Sequence, residues 1–507
     1  METNRKQQII EFVKEHKFIL LIATVFFLSH FFFLDKVFTS DEGTHTLISI
    51  FYKDLITFIP THLSVSQIYD YAINYLVHYP KLSIYYPPLF HITGSILFFI
   101  KSDYVTLRIL SLTLGTLSVI ATYFLTMNFT KNKKTSLIAS ALLATSPLIN
   151  ILSVNALTDN MLLFAGILIL YLWYNYIEKD SPNIILLTLA SIVLVFARQQ
   201  MVLIFVPLFV YALIYKKWRK IIIPFIIISA FFGVYYLGLY KLGVLQASLS
   251  AEVVASYEND PLFTQIGAWI YYPSAMIFNY LIFPISIIGF FGMYKWFKSR
   301  EKWQILLLIL FFTNLLFFIF IPNKDIRFVL PIIITLSIAS ADVLKSVIKK
   351  KQYILAFAIY LIAVLTVFVA PVYLEKGSSY SFMDQIEKLG DVAILSENSN
   401  LYSSNIMAAY ASTSPMDKSF YRPCAFFDNK TLLQNMRYAI VIQPVDENFK
   451  EDYTNLIDYI KADTNFTKIY SENGTISVDV YENNNHVPLG KNCNYICITQ
   501  EEICSKM

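Results

Sequence analysis

The chain has 507 residues, 56% of them hydrophobic and only 15% charged. Soluble proteins carry about 25% charge, so a soluble enzyme, a nucleic-acid binder and a disordered chain are all excluded. The net charge of +4 divides unevenly, with 11 Lys/Arg against 18 Asp/Glu from Glu375 to Met507 and 29 against 18 before it. Composition therefore separates an apolar, basic region (1–374) from an acidic tail (375–507).

Taken in chain order, eleven apolar runs are candidate membrane spans: 18–34, 105–127, 135–153, 158–177, 183–197, 199–215, 220–241, 270–294, 303–321, 328–348 and 353–373. Each is near the roughly 20 residues needed to cross a bilayer. The first run lacks a small-x-small cleavage site and is not read as a cleaved signal. A further run from Pro87 to Ile100 is short and opens on Pro87-Pro88. Charge decides its placement. If it does not cross, 20 cations fall on one side: Arg5, Lys6, Lys14, Lys17, Lys131, Lys133, Lys134, Lys179, Lys216, Lys217, Arg219, Lys220, Lys295, Lys298, Arg300, Lys302, Lys345, Lys349, Lys350 and Lys351. The positive-inside rule makes that side cytoplasmic. The run is then a re-entrant or interfacial helix on the outer face. The N-terminus lies inside and the tail outside.

The tail alternates β-rich runs (Val392–Leu395, Tyr438–Ile442, Thr467–Tyr470, Thr475–Tyr481) with helical stretches such as Phe449–Ile460. Asn473-Gly474 between the last two runs signals a hairpin. The expectation is an all-α polytopic membrane protein with a small extracytoplasmic α/β domain at its C-terminus. All four cysteines (Cys424, Cys493, Cys497, Cys504) lie in this tail. They fit disulfides in an oxidising compartment, with three pairings open. Their spacing lacks the paired C-x2-C of structural zinc. The sequons at Asn429, Asn465 and Asn473 are compatible with chance in an Asn-rich chain.

Chemistry concentrates on the outer face. The long loop 35–104 begins Thr39-Ser40-Asp41-Glu42-Gly43-Thr44-His45, runs through two amphipathic stretches, and ends Tyr85-Tyr86-Pro87-Pro88-Leu89-Phe90-His91. A carboxylate pair at the mouth of a span is costly unless solvated or used; a polar interface cap is the bland reading. Arg108 opens the second run, where snorkelling would explain it equally well. Asp159 opens the fourth, where it could serve as an N-cap. Arg198-Gln199-Gln200 fills an outer turn, against the charge rule. Lys324, Asp325 and Arg327 occupy the turn before the tenth run, where solvation alone would suffice. Together these supply guanidinium groups beside a candidate base, a combination suited to a phosphate held by bidentate arginine. Asp41, Glu42, His45 and His91 fit no metal-ligand spacing, so no metal is expected.

In order, Asp41-Glu42, Tyr86-Pro-Pro-Leu-Phe-His91, Arg108-Ile-Leu-Ser, Leu157-Thr-Asp159 and Arg327-Phe-Val-Leu-Pro331 resemble the GT-C glycosyltransferases that use polyprenyl-phosphate sugars. The closest branch is that of protein O-mannosyltransferases and aminoarabinose transferases. The resemblance covers about residues 18–374. It implies Asp41 as catalytic base, and Glu42, Tyr86, His91, Arg108, Asp159, Arg198, Gln199, Lys324 and Arg327 as substrate-binding groups. The Arg198-Gln199 turn is also reminiscent of the lipid-linked-oligosaccharide glucosyltransferases. The resemblance further implies a dolichyl or undecaprenyl phosphate sugar as co-substrate. The acceptor would be a glycan or lipid; no loop is long enough for the β-trefoil insert of protein O-mannosyltransferases, which disfavours a protein acceptor. The expected reaction is an inverting transfer on the outer face. A single displacement needs one base. The alternative is a polytopic lipid or sugar transporter or flippase, which would place ionisable groups at midplane in two repeated halves; here they gather at the outer rim. No retention motif closes the chain, which favours a plasma membrane over the endoplasmic reticulum.

Overall fold

The computed structural model describes residues 2–34, 41–79, 82, 86–101, 104–181, 183–241, 266–281, 285–321, 325–374, 392–395, 420–421, 433–434, 436–444, 451–473 and 476–485. The chain divides into two compact units, one built from 1–34, 85–90 and 108–372, the other from 35–84, 91–107 and 373–507.

The first unit is helical. It contains α1 (Glu2–Phe31), most of α5 (Tyr104–Thr130), α6 (Lys133–Ala144), α7 (Pro147–Ser153), α8 (Asp159–Lys179), α9 (Ile184–Val195), α10 (Val202–Ile214) and α11 (Trp218–Lys241). It continues through α12 (Ile266–Ala275), α13 (Ile285–Ser299), α14 (Lys302–Ile319), α15 (Ile332–Leu344) and α16 (Lys351–Leu374). Among the described residues, helix predominates in the apolar runs, because an α-helix satisfies its own backbone in an apolar medium. Among the described residues, four helices are long and apolar enough to cross a bilayer: Val105–Thr130, α8, α11 and α14. Two bent pairs would raise the number to six, namely α6 with α7 at 62° and Trp269–Tyr280 with α13 at 116°. The first bend falls at Ser146-Pro147, where proline starts a new helix and Ser146 caps it through the Ile149 N–H. In the second, Met276–Tyr280 forms a π-helical turn. Its freed carbonyls are taken up by the Ser286 hydroxyl, which donates to Met276 O at 2.8 Å and Leu281 O at 3.1 Å. Helices such as α9, with 12 residues, reach only about 18 Å at 1.5 Å per residue.

Polar groups tie the loops at one end together. Lys133 pairs with Glu15, and the Lys134 ammonium donates to Lys345 O. Lys179 donates to Asn128 Oδ1 at 2.7 Å. Glu178 accepts from Lys217 and Lys302 at 2.9 and 2.8 Å and from Tyr211 at 2.8 Å. Lys220 pairs with Asp180. The cation-bearing loops after α5, α8, α10, α13 and α15 therefore share one end of this unit. Close approach between α13 and α15 depends on Gly292: a Cβ there would lie 2.4 Å from Ala339 O.

The second unit includes α2 (Glu42–Phe58), α3 (Val65–His78) and most of α4 (Leu89–Leu97). The nine residues of α4 span about 13 Å, too short to cross. The tail contributes β1 (Val392–Leu395), β2 (Phe420–Tyr421), β3 (Tyr438–Pro444), α17 (Glu451–Ala462), β4 (Phe466–Asn473) and β5 (Ile476–Asn483). They form a mixed sheet in the order β2-β1-β3-β5-β4, parallel across β2-β1-β3 and antiparallel across β3-β5-β4. Period-2 alternation puts Ala393, Leu395, Ala439, Val441 and Tyr481 on one face. Leu456, Ile457 and Ile460, spaced to share one side of α17, pack against them. The tail cysteines lie outside the described residues.

Candidate active site

The end of the helical unit opposite the lysine-rich loops gathers most of the predicted polar residues. Asp159 is the first residue of α8, and Thr158 holds the N-cap position without a capping side chain. The Asp159 carboxylate is instead spent on tertiary contact: its Oδ1 pairs with Arg198 Nη1, 39 positions away. Their side chains are 1% and 8% exposed. Arg198 sits at the N-cap of the short 3-10 turn Gln199–Met201, so its backbone leaves the end of α9 extended and its side chain turns back to α8. Gln199 is half-buried in that turn.

Next to Asp159, Asn160 anchors the start of α8. Its amide donates to Ser111 O at 3.1 Å and to Ser111 Oγ and Ser153 Oγ at 3.2 Å each. Gly115 makes room for this knot, because a Cβ there would lie 2.3 Å from Ser153 Oγ. The first turn of α8, which carries Asp159, is thus tied by buried hydrogen bonds to α5 and α7. Tyr280 is fully buried, and its hydroxyl donates to Ile326 O.

Arg108 is wholly buried, and its Nη1 donates to Leu34 O at 2.8 Å. A snorkelling cation would be exposed, so that reading fails; the guanidinium serves the carbonyl left open at the end of the first apolar run. Tyr86 is half-buried, and its carbonyl accepts from the Tyr235 hydroxyl at 3.1 Å. Pro87 and Pro88 offer no N–H, and the next donor, Leu89 N–H, goes to Phe196 O at 3.1 Å. The Tyr86-Pro-Pro strap is thereby pinned beside the Arg198 turn.

Arg327 lies in the 3-10 turn Ile326–Val329. Asp325 caps this turn through the Arg327 N–H at 2.8 Å and holds the guanidinium through Nε at 2.7 Å and Nη2 at 2.6 Å. Lys324 lies outside the described residues.

In the second unit, Asp41 is half-buried at the N-cap of α2, and its carbonyl accepts from His45 N–H at 3.1 Å. Glu42, first in the helix, is completely buried. One turn on, His45 Nδ1 meets His91 Nε2 at 3.0 Å, with both rings buried. One of the two nitrogens must carry the proton and the other accept it. Among the described residues no group of three or more His, Cys, Asp and Glu is placed to hold a metal ion.

Sequence reasoning missed Tyr280, Asn160 and Tyr235. Asn160 follows Asp159 directly, and an amide inside an apolar helix was the available signal, since buried polar groups need partners.

Residues 68–255 match the family model described as dolichyl-phosphate-mannose-protein mannosyltransferase, and 265–424 match the Alg9-like mannosyltransferase family. The chain is a GT-C-type glycosyltransferase. The first match contains Tyr86, His91, Arg108, Asp159, Arg198 and Gln199, the second Lys324 and Arg327; Asp41 and Glu42 precede both. The fold of this glycosyltransferase is similar to that of ArnT from Cupriavidus metallidurans in the apo state, with a TM-score of 0.60 at 11% identity over 93% of this chain and 98% of that one. ArnT from the same organism bound to undecaprenyl phosphate gives a TM-score of 0.57 at 13% identity, covering 93% and 99%. No curated protein matches significantly by sequence.

Proposed function

We propose that this glycosyltransferase moves a sugar from a polyprenyl phosphate to a hydroxyl of a glycan or lipid-linked acceptor on the outer face of the membrane, with inversion. The observation that supports this most is the clustering of Tyr86, Arg108, Asp159, Arg198 and Arg327 at the end of the helical unit away from the lysine-rich loops. The mannosyltransferase matches and the ArnT solved with undecaprenyl phosphate point to the same donor class.

In this reading Asp41 takes the proton of the acceptor hydroxyl as it attacks the anomeric carbon, and Glu42 orients substrate. The bond to the polyprenyl phosphate breaks, and the departing dianion needs cations. Arg108 and Arg327 supply guanidinium groups for that task, with Arg327 positioned by Asp325. Lys324 adds a point charge. Tyr86, His91 and Gln199 are further substrate-binding groups in this reading. The acidic tail, with its four cysteines, is extracytoplasmic, and the enzyme resides in a plasma membrane.

The direct test is transfer of radiolabelled sugar from dolichyl- or undecaprenyl-phosphate donors by the detergent-solubilised protein. Label reaching a glycan or lipid acceptor supports the reading. Vesicle flux of the same donor without transfer would replace it with transport.

A further inference from the structure

At the Asp159–Arg198 pair the hydrogen-bonding groups do not balance. Asp159 Oδ1 holds Arg198 Nη1, but Asp159 Oδ2 and Arg198 Nε are buried without a hydrogen-bond partner. Three more buried atoms in the same two segments share that condition: Thr158 Oγ1, Asn160 Oδ1 and Gln200 Oε1. Thr158, Asp159 and Asn160 are at most 1% exposed and Arg198 is 7% exposed. Native proteins rarely leave such atoms orphaned, and each one lowers stability unless an arriving group bonds it. Five in residues 158–160 and 198–200 mark a place that expects a polar guest.

The chemistry of the five atoms narrows the guest. Asp159 Oδ2, Asn160 Oδ1 and Gln200 Oε1 can only accept, the Thr158 hydroxyl can do either, and Arg198 Nε can only donate. The corner therefore wants a molecule with several O–H donors and at least one acceptor close by. A phosphate does not fit: it brings acceptors but no donors, and it would meet the Asp159 carboxylate while the Arg198 charge is already neutralised. A pair of neighbouring hydroxyls fits, one donating to Oδ2 while the other accepts from Nε, with Gln200 Oε1 available for a third. We propose that this corner is the subsite that reads the hydroxyls of the transferred sugar, and that Asp159, Arg198 and Gln200 set sugar specificity rather than hold the lipid phosphate. The assignment rests on the polyprenyl-phosphate donor reading and adds to it which end of the donor lies here.

The test separates the two ends of the donor. Binding of bare dolichyl phosphate, dolichyl phosphate mannose and dolichyl phosphate glucose would be measured by calorimetry on the full chain in detergent. The wild-type protein should bind at least one sugar-bearing lipid about 10-fold or more tighter than the bare one, as expected for two or three added hydrogen bonds. In Gln200→Leu, which leaves the ion pair intact, that ratio should drop several-fold while bare dolichyl phosphate binds as before. Asp159→Asn, checked for folding by size-exclusion elution, should abolish the ratio. A wild-type ratio near one for both sugars would overturn the subsite, and so would variants that weaken bare and sugar-bearing lipids alike. Wild-type protein that binds none of the three lipids would overturn the donor reading beneath it.

Discussion

Replacing Arg198 by Met strips Asp159 of its counter-ion in a site where the carboxylate side chain is 1% exposed. Breaking a buried pair from one side typically costs about 3–5 kcal/mol, because the surviving charge stays desolvated without compensation. Arg198→Met should therefore destabilise the helical unit by about that amount. Asp159→Asn should cost a similar amount by stranding the guanidinium. The double variant Asp159→Asn/Arg198→Met leaves no buried charge, so its cost should be no larger than either single cost. The cycle then returns a favourable coupling no smaller than the lesser single cost, about 3 kcal/mol or more, at or above the upper end of what contacting residues show. Thermal unfolding followed by the intrinsic fluorescence of the five tryptophans in detergent gives the three stabilities relative to wild type. Single costs that simply add to the double cost, within about 0.5 kcal/mol, would refute the pair as described.

Other expectations follow from packing, electrostatics and topology. Gly292→Ala drives a Cβ to 2.4 Å from Ala339 O of the neighbouring helix and should cost about 1–3 kcal/mol or more by overpacking. Gly233→Ala meets nothing within 4 Å and should stabilise α11 by about 0.5–1 kcal/mol. Unfolding of both variants checks the contrast, and a stable Gly292→Ala would count against the tight α13–α15 crossing. In the tail, burial pushes the Asp479 carboxyl up, but hydrogen bonds from Lys468 and Ser471 outweigh it and hold its pKa below the ordinary aspartate value. Because the folded value is the lower one, the stabilisation is full above the unfolded pKa and is lost as pH falls through the folded one. Hydrogen-exchange protection of the β4–β5 hairpin, corrected for the intrinsic rate, should therefore drop on acidification through the lowered Asp479 pKa in wild type and not in Asp479→Asn. For topology, the tail should react with a membrane-impermeant cysteine reagent on intact cells after mild reduction, and a single cysteine placed in the Lys216–Lys220 loop only after permeabilisation. The reverse pattern would invert the orientation.

Local patterning made the elements legible and left the long-range pairings hidden. Apolar runs announced the helices, and alternating charge grouped the loops that Glu178, Lys134 and Lys179 now tie at one end. The Asn473-Gly474 signal stands between β4 and β5, which pair antiparallel. The breaks at Ser146-Pro147 and at Met276–Tyr280 were less visible, because hydropathy averages over a bend. Asp159 looked like a cap for its own helix; nothing within a turn of it predicts a partner 39 positions away. Arg108 likewise serves a carbonyl 74 positions back. Such pairings come from helix packing, and a single sequence carries them only as unexplained polar residues in apolar surroundings.

In the proposed transfer, Asp41 takes the proton of the acceptor hydroxyl. Asp41→Asn preserves shape at the start of α2 while removing proton-accepting capacity. Turnover in the radiolabelled transfer assay should fall by about 10²–10⁴-fold, the usual weight of a general base, with donor affinity retained and Glu42→Gln less affected. Near-normal turnover in Asp41→Asn, with loss in Glu42→Gln or Asp159→Asn instead, would contradict it.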